Sequence, residues 1–180
     1  MDIFHKKAHT PSTQIQSLWE ASVAFHGMAC TNLAIGVRVC DTALRRLGLS
    51  TVDRNRLVCV SETDNCCVDA IQSGLGCSIG KKHLLFFNTG RMIFSIYDLV
   101  TNVSLRICVR PEVAADCSPE KILAMDEDSL FYFEEAHPMT PKVLKKVNRG
   151  CFHKEGEAPH VNGSVQDSLE PFREFDESKF

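Results

Sequence analysis

A histidine and a cysteine four positions apart, His26 and Cys30, carry the first chemistry legible in this chain, with Gly27 between them. An imidazole beside a thiol is either a base with its nucleophile or half of a soft metal site. Cys30 stands just ahead of Thr31 and Asn32, either of which can cap a following helix. A thiol at a helix start meets the positive end of the dipole, which favours the thiolate that binds metals and attacks electrophiles. The second group is Cys66-Cys67-Val68-Asp69. On a helix, Cys66, Asp69 and Ser73 share a polar side, whereas Cys67, Ile71 and Leu75 share an apolar one. Cys66 is therefore expected in a site and Cys67 in a core. Cys77 follows in the glycine-rich stretch 74–80, where the backbone has freedom to return toward Cys66. A set of His26, Cys30 and Cys66, completed by Cys77, Asp69 or water, suits zinc or another borderline-soft transition metal. The same residues support a catalytic reading, with Cys30 as nucleophile, His26 as its base and Asp69 orienting a partner. A third reading has the cysteines simply filling a core, since free cysteine is among the most buried residue types.

These residues need elements to hold them. Ile15, Leu18, Trp19, Ser22 and Phe25 keep a helical spacing that predicts a helix to His26, with one stripe inward and the imidazole on it. Gly27 then fits the left-handed position past a helix end. A second helix is predicted over 31–47, with Leu33, Val37, Cys40, Leu44 and Leu47 on one stripe and Ile35 and Val39 on another flank. A helix apolar on more than one side is central to its domain or buried against a second copy. Gly36 inside it weakens the helix, and a close helix contact is the usual reason to keep such a residue. A buried strand is expected at 57–61, then a helix from near Cys66 to Ser73 capped from the segment 62–65. Strands follow at 84–87, 92–97 and 103–109, the last two as a hairpin, and a helix opens at Ser118-Pro119 and runs to Met125. The stretch 126–135 reads equally as helix or strand. The order gives an α+β class, with N-terminal helices on a small antiparallel sheet.

Composition bounds the function. One hundred and eighty residues of ordinary hydrophobicity form one domain with a real core, and a formal charge of −3 argues against nucleic acid as a partner. No apolar run reaches membrane-spanning length, and the first residues carry no secretory pattern, so a cytoplasmic protein is expected. Nine cysteines, an odd number, fit reduced thiols better than a disulfide framework. Cys40, Cys59 and Cys108 fall at apolar positions and are expected in the core, and Cys117 at the surface. The run 76–81 lacks the glycine and hydroxyl positions of a phosphate loop, and Lys142, Lys145, Lys146 and Arg149 read as a solvated face. The apolar periodicity ends near Phe152, and the composition shift near Pro141 divides the chain into a core over 12–140 and an arm over 141–180.

With both groups in hand, the chain resembles the FmdE family, which takes its name from formylmethanofuran dehydrogenase. That family shows Phe-His-Gly-His-x-Cys-Pro-Gly-Leu-Ala-x-Gly-x-Arg, against which Phe25-His26-Gly27-Met28-Ala29-Cys30-Thr31-Asn32-Leu33-Ala34-Ile35-Gly36-Val37-Arg38 aligns. Its second and third blocks resemble 62–72 and 76–81, so the likeness covers roughly 17–135. The resemblance implies an α+β core forming an intertwined homodimer, a cleft gathering the His, Cys and Asp of these blocks, and metal binding. It also implies an association with a molybdenum or tungsten enzyme. Met28 replaces the family's second histidine, Thr31-Asn32 replace Pro-Gly, and Cys67 replaces a glycine. Only Cys151, His153 and His160 stand where many relatives carry a C-terminal zinc finger, too few for a four-ligand site within the arm.

Overall fold

The computed structural model describes residues 12–50, 55–113 and 117–139. Helix α1, Thr13–His26, is opened by Ser12, whose hydroxyl accepts from the Ile15 amide, and closed by Gly27 at φ +86. Helix α2 spans Thr31–Arg46. Strand β1, Leu57–Ser61, leads into helix α3, Cys67–Leu75, and strands β2, β3 and β4 cover Leu84–Phe86, Ile93–Asp98 and Ser104–Val109. Helix α4, Pro119–Ala124, starts at the expected Ser118-Pro119 cap and is followed by α5, Glu127–Leu130, and β5, Phe131–Glu134. The ambiguous stretch is thus both a helix turn and a strand in succession.

The strands form one five-stranded sheet in the order β2-β1-β3-β4-β5. The pairs β1–β3, β3–β4 and β4–β5 are antiparallel. The edge pair β1–β2 is parallel, because α3 lies between the two strands and returns the chain in the same direction. The class is α+β, with a mixed sheet where a purely antiparallel one was expected. Strand alternation sorts the side chains. Leu57, Cys59, Phe94, Ile96, Ile107, Val109 and Phe131 enter the main core with the helices. Val58 and Leu85 form a smaller cluster on the opposite face with Tyr97, Leu99 and Met139. The chain reaches that face after β5, where the Tyr97 hydroxyl donates to the His137 carbonyl at 2.7 Å. The expected arm, 141–180, lies outside the described residues.

Helix α2 is the axis of the domain. Every residue from Leu33 to Leu44 is buried, including Arg38, Asp41 and Thr42. Both apolar flanks are filled within the one chain, by α1, α3, α4 and the sheet core. The Arg38 guanidinium meets the carbonyls that end α4: its Nη1 donates to Ile122, Leu123 and Met125 at 2.9, 3.1 and 2.5 Å, while its buried Nε has no partner among the described residues. Asp41 is held by Gln14 of α1 at 3.0 Å and by Arg45 at 3.0 Å.

The contact between α2 and α3 is the tightest. A Cβ at Gly36 would meet the Cys67 carbonyl oxygen at 2.6 Å and the Cys67 Cα and Ala70 Cβ at 2.8 Å. A Cβ at Gly74 would meet Cys40 Sγ at 2.7 Å. On either side of Gly36 a thiol donates across the seam, Cys67 to the Asn32 carbonyl at 2.9 Å and Cys40 to the Ala70 carbonyl at 3.2 Å. The helix weakening expected from Gly36 is thus offset by a close helix contact, as its position suggested. Two of the three obstructing atoms at Gly36 are backbone and cannot rotate away. Gly36→Ala is expected to destabilise the protein by roughly 1–3 kcal/mol despite the better helix propensity of alanine. Gly80→Ala, with open space around it, should be neutral. Denaturant titration of both variants checks this; equal midpoints would remove the close contact from the account.

A pH dependence follows from His83, buried just before β2. Burial and then the nearby Lys81 charge hold its imidazole below the usual 6.5. As pH falls below that value the unfolded chain takes up a proton that the folded chain refuses. This share of stability is complete above pH 6.5 and is lost as pH falls through the lowered value. His83→Gln should flatten the stability profile just below pH 6.5; an unchanged slope there would contradict the assignment.

Candidate metal centre

Two helix starts and one helix end meet at the site. Cys30 is itself the cap of α2, in extended backbone, with its sulfur accepting from the Leu33 amide at 3.4 Å. The cap expected at Thr31 or Asn32 therefore falls one residue earlier, which ties the thiol to the helix dipole. Thr31 is used elsewhere: its hydroxyl donates to the Cys117 carbonyl at 2.6 Å. That bond and its packing make Cys117 half-buried, not the surface residue expected. Cys66 precedes the first residue of α3, and Asn65 sets that start by accepting from the Cys67 amide at 3.0 Å. His26 is the last residue of α1, and Gly27 turns the chain away from it.

These three converge. One ligand atom each from His26, Cys30 and Cys66 lie within 4.8 Å of one another, and all three residues are half-buried. Asp69 does not join as a fourth member of that group. Its carboxylate accepts from His26 Nδ1 at 2.7 Å, which leaves Nε2 as the nitrogen facing the sulfurs, 3.9 Å from Cys30 Sγ. A carboxylate behind an imidazole fixes its tautomer and orientation, as in histidine ligands of metal sites. Asp69 is in turn braced by Gln72 at 3.4 Å, and Ser73 of the same helix shares a 3.0 Å hydroxyl contact with Ser22 of α1. The α1–α3 packing thus holds the imidazole and its carboxylate in one frame. Burial pushes the Cys66 thiol up, with the adjacent Cys30 sulfur adding to the effect. Two thiolates side by side repel, and a cation between them removes that penalty.

The other expected residues separate cleanly. Cys77 is fully buried away from the group, donates to the Leu57 carbonyl at 3.4 Å and is pushed up to about 12 by burial. The glycine-rich stretch carries it into the core instead of back toward Cys66. Cys67 is buried as expected, and burial raises its thiol strongly. Phe25, expected on the inward stripe, is 57% exposed beside His26, and Met28 is 60% exposed in the turn between the two ligands. The helix ends one residue after Phe25, so no neighbour covers that side. The sequence marked a close helix contact at Gly36, but not that α3 is the partner and that this seam places Cys66 against Cys30. Its signal is Gly36 with Cys40 four residues on, two small residues on the side of α2 that meets α3.

The fold and the cluster define an α+β domain with a His/Cys group of metal-ligand type. The chain belongs to the FmdE family, whose model, described as "FmdE, Molybdenum formylmethanofuran dehydrogenase operon", matches residues 25–177. The match begins at the Phe-His-Gly segment of the site and runs well past residue 135, farther than the three sequence blocks reach. A "Probable S-adenosyl-L-methionine-binding protein" of Archaeoglobus fulgidus is 28% identical over 107 residues, 57% of this chain. The chain spans 29% of that relative's length, so the ligand in its name belongs to that protein. Among the described residues no helix is long and apolar enough to cross a membrane.

Accessibility gives a direct check on the placement of the thiols. Brief alkylation of the native, metal-free protein should label Cys30, Cys66 and Cys117. It should spare Cys40, Cys59, Cys67, Cys77 and Cys108, all fully buried, until denaturant is added. Native labelling of Cys77 at the rate of Cys30 would contradict its place in the core.

Proposed function

We propose that this chain is a metal-binding module in which His26 Nε2 and the Cys30 and Cys66 sulfurs hold one transition metal ion. Two thiolates and an imidazole are the donors of zinc, with a fourth position left for water or an outside ligand. The observation that carries the reading is the Asp69–His26 hydrogen bond, which points the free imidazole nitrogen at the two sulfurs. The metal would supply Lewis acidity or simply a fixed charge at the open position. The residues' own part is to bind it, keep the imidazole in one tautomer and hold the two thiols at helix starts.

The role is accessory or metal-handling, linked to molybdenum or tungsten enzyme systems; the family description, which names a formylmethanofuran dehydrogenase operon, supports that link. A tagged chain that binds metal yet never associates with such a dehydrogenase would remove it. A homodimer belongs to the same proposal through the family, since α2 is already covered within one chain. Sedimentation as a stable monomer at micromolar concentration would reject it.

The specific observation behind a second reading is the Asp69–His26–Cys30 line, which is also the order of orienter, base and thiol nucleophile. Cys66 beside Cys30 favours metal over acyl transfer, because a nucleophile gains nothing from a second thiol in its path. The two readings separate on elemental analysis of protein purified without chelator. Zinc or another transition metal near one per chain is expected. Cys30→Ser, Cys66→Ser and His26→Ala should each lose it, because hydroxyl and methyl groups do not replace these donors. Asp69→Ala should weaken binding about 10–100-fold while leaving the fold intact. Met28→His, which restores the family's residue in the turn, should tighten it. Cys40→Ser should lower stability and leave the stoichiometry of folded protein unchanged. Equal metal content in wild type and the Cys30 and His26 variants would reject the site.

A further inference from the structure

We propose that Cys30 and Cys66 are also a redox-active dithiol, closing to a disulfide when no metal holds them apart and reopening on reduction. Among the described cysteines the geometry singles out this pair. Their sulfurs lie within 4.8 Å, and both thiols are half-buried, open enough for a small reagent. Cys40, Cys59, Cys67, Cys77 and Cys108 are fully buried, and Cys117 is not part of the group. Both residues sit at the ends of short connections, Cys30 after the 27–29 turn and Cys66 after the 62–65 segment. Side-chain rotation there does not need a helix to unwind. A disulfide requires the sulfurs to approach from within 4.8 Å to about 2 Å, by rotation about the side-chain bonds of the two residues.

The oxidant class that fits a half-buried pair is a low-molecular-weight disulfide. The Cys30 sulfur attacks one sulfur of the reagent, whose S–S bond breaks and whose first thiol leaves with the Cys30 proton. His26 Nε2, 3.9 Å away, stands on the path of that proton. The Cys66 sulfur then attacks Cys30 in the mixed disulfide, and the second reagent thiol leaves with the Cys66 proton. The protein loses two electrons and two protons, and the reagent gains both as two thiols. A disulfide withdraws two of the three metal ligands at once, so oxidation and metal binding exclude each other. That exclusion rests on the metal reading above; the dithiol itself does not.

The test exposes full-length protein, chelator-treated or zinc-loaded, to oxidised glutathione, followed by digestion without reductant and mass spectrometry. Chelator-treated protein should yield a Cys30–Cys66 linked peptide that dithiothreitol removes. Zinc-loaded protein should resist, and the oxidised protein should take up no zinc. Cys66→Ser should stop at a lasting glutathione adduct on Cys30, since the second attack has no thiol to make it. No linked peptide in chelator-treated wild type, or linkage to any other cysteine, overturns the dithiol. If the peptide forms but reduced protein binds no zinc, the dithiol stands and the metal reading falls. If zinc binds but no peptide forms, the reverse holds.

Discussion

The site depends on one contact, the approach of α2 to α3 at Gly36. No side chain separates the two backbones there, and the Cys67 carbonyl and Cα occupy the space that a Cβ would need. The seam is not a single point. Cys67 binds the Asn32 carbonyl at one end, and Cys40 binds the Ala70 carbonyl where Gly74 leaves room for its sulfur. Small residues facing each other let dispersion contacts accumulate along two helices, which offsets the propensity cost of two interior glycines. Because Cys67 is fixed against Asn32, its neighbour Cys66 is carried to within reach of Cys30, two residues before Asn32. The position of the metal-type group is thus a by-product of packing.

The second constraint is the entry of α1. Ser22 meets Ser73, and four residues on, His26 meets Asp69 one turn earlier along α3. The imidazole is therefore aimed by a helix that also supplies, just before its first turn, one of the two thiols. All three donors and the orienting carboxylate belong to a frame made of α1, α2 and α3 alone. The sheet takes no direct part: it shares the core with the helices and leaves the cluster half-buried, with Phe25 and Met28 exposed next to His26 and Cys30 in sequence. A small ion or thiol reagent can reach such a half-buried place.

Most of the architecture was legible because its periodicities are clean. The α1, α2 and α3 spans, the 57–61 strand and the hairpin all appear where apolar spacing and turn residues put them, to within a residue or two. His26, Cys30 and Cys66 were legible as a set because their residue types share one chemistry. The failures are local and physical. Phe25 keeps the apolar spacing, but it lies next to a helix end where nothing packs over it. Cys77 sits in a glycine-rich stretch, yet the loop turns inward and its thiol bonds to β1. The parallel β1–β2 edge was hidden because a short strand such as 84–86 carries no mark of direction. Asp69 was legible both as a ligand and as an orienting group, and sequence spacing does not choose between them; the 2.7 Å bond to His26 Nδ1 places it behind the imidazole. The arm over 141–180 is outside the described residues, so its expected role neither gains nor loses.

The central claim is that one imidazole and two thiolates share a single metal ion. X-ray absorption at the zinc edge, on protein loaded with one equivalent, tests it most directly. Two sulfur scatterers at about 2.3 Å, one imidazole nitrogen at about 2.0–2.1 Å and one further light atom are expected. A shell of nitrogen and oxygen alone, or of four sulfurs, would contradict it.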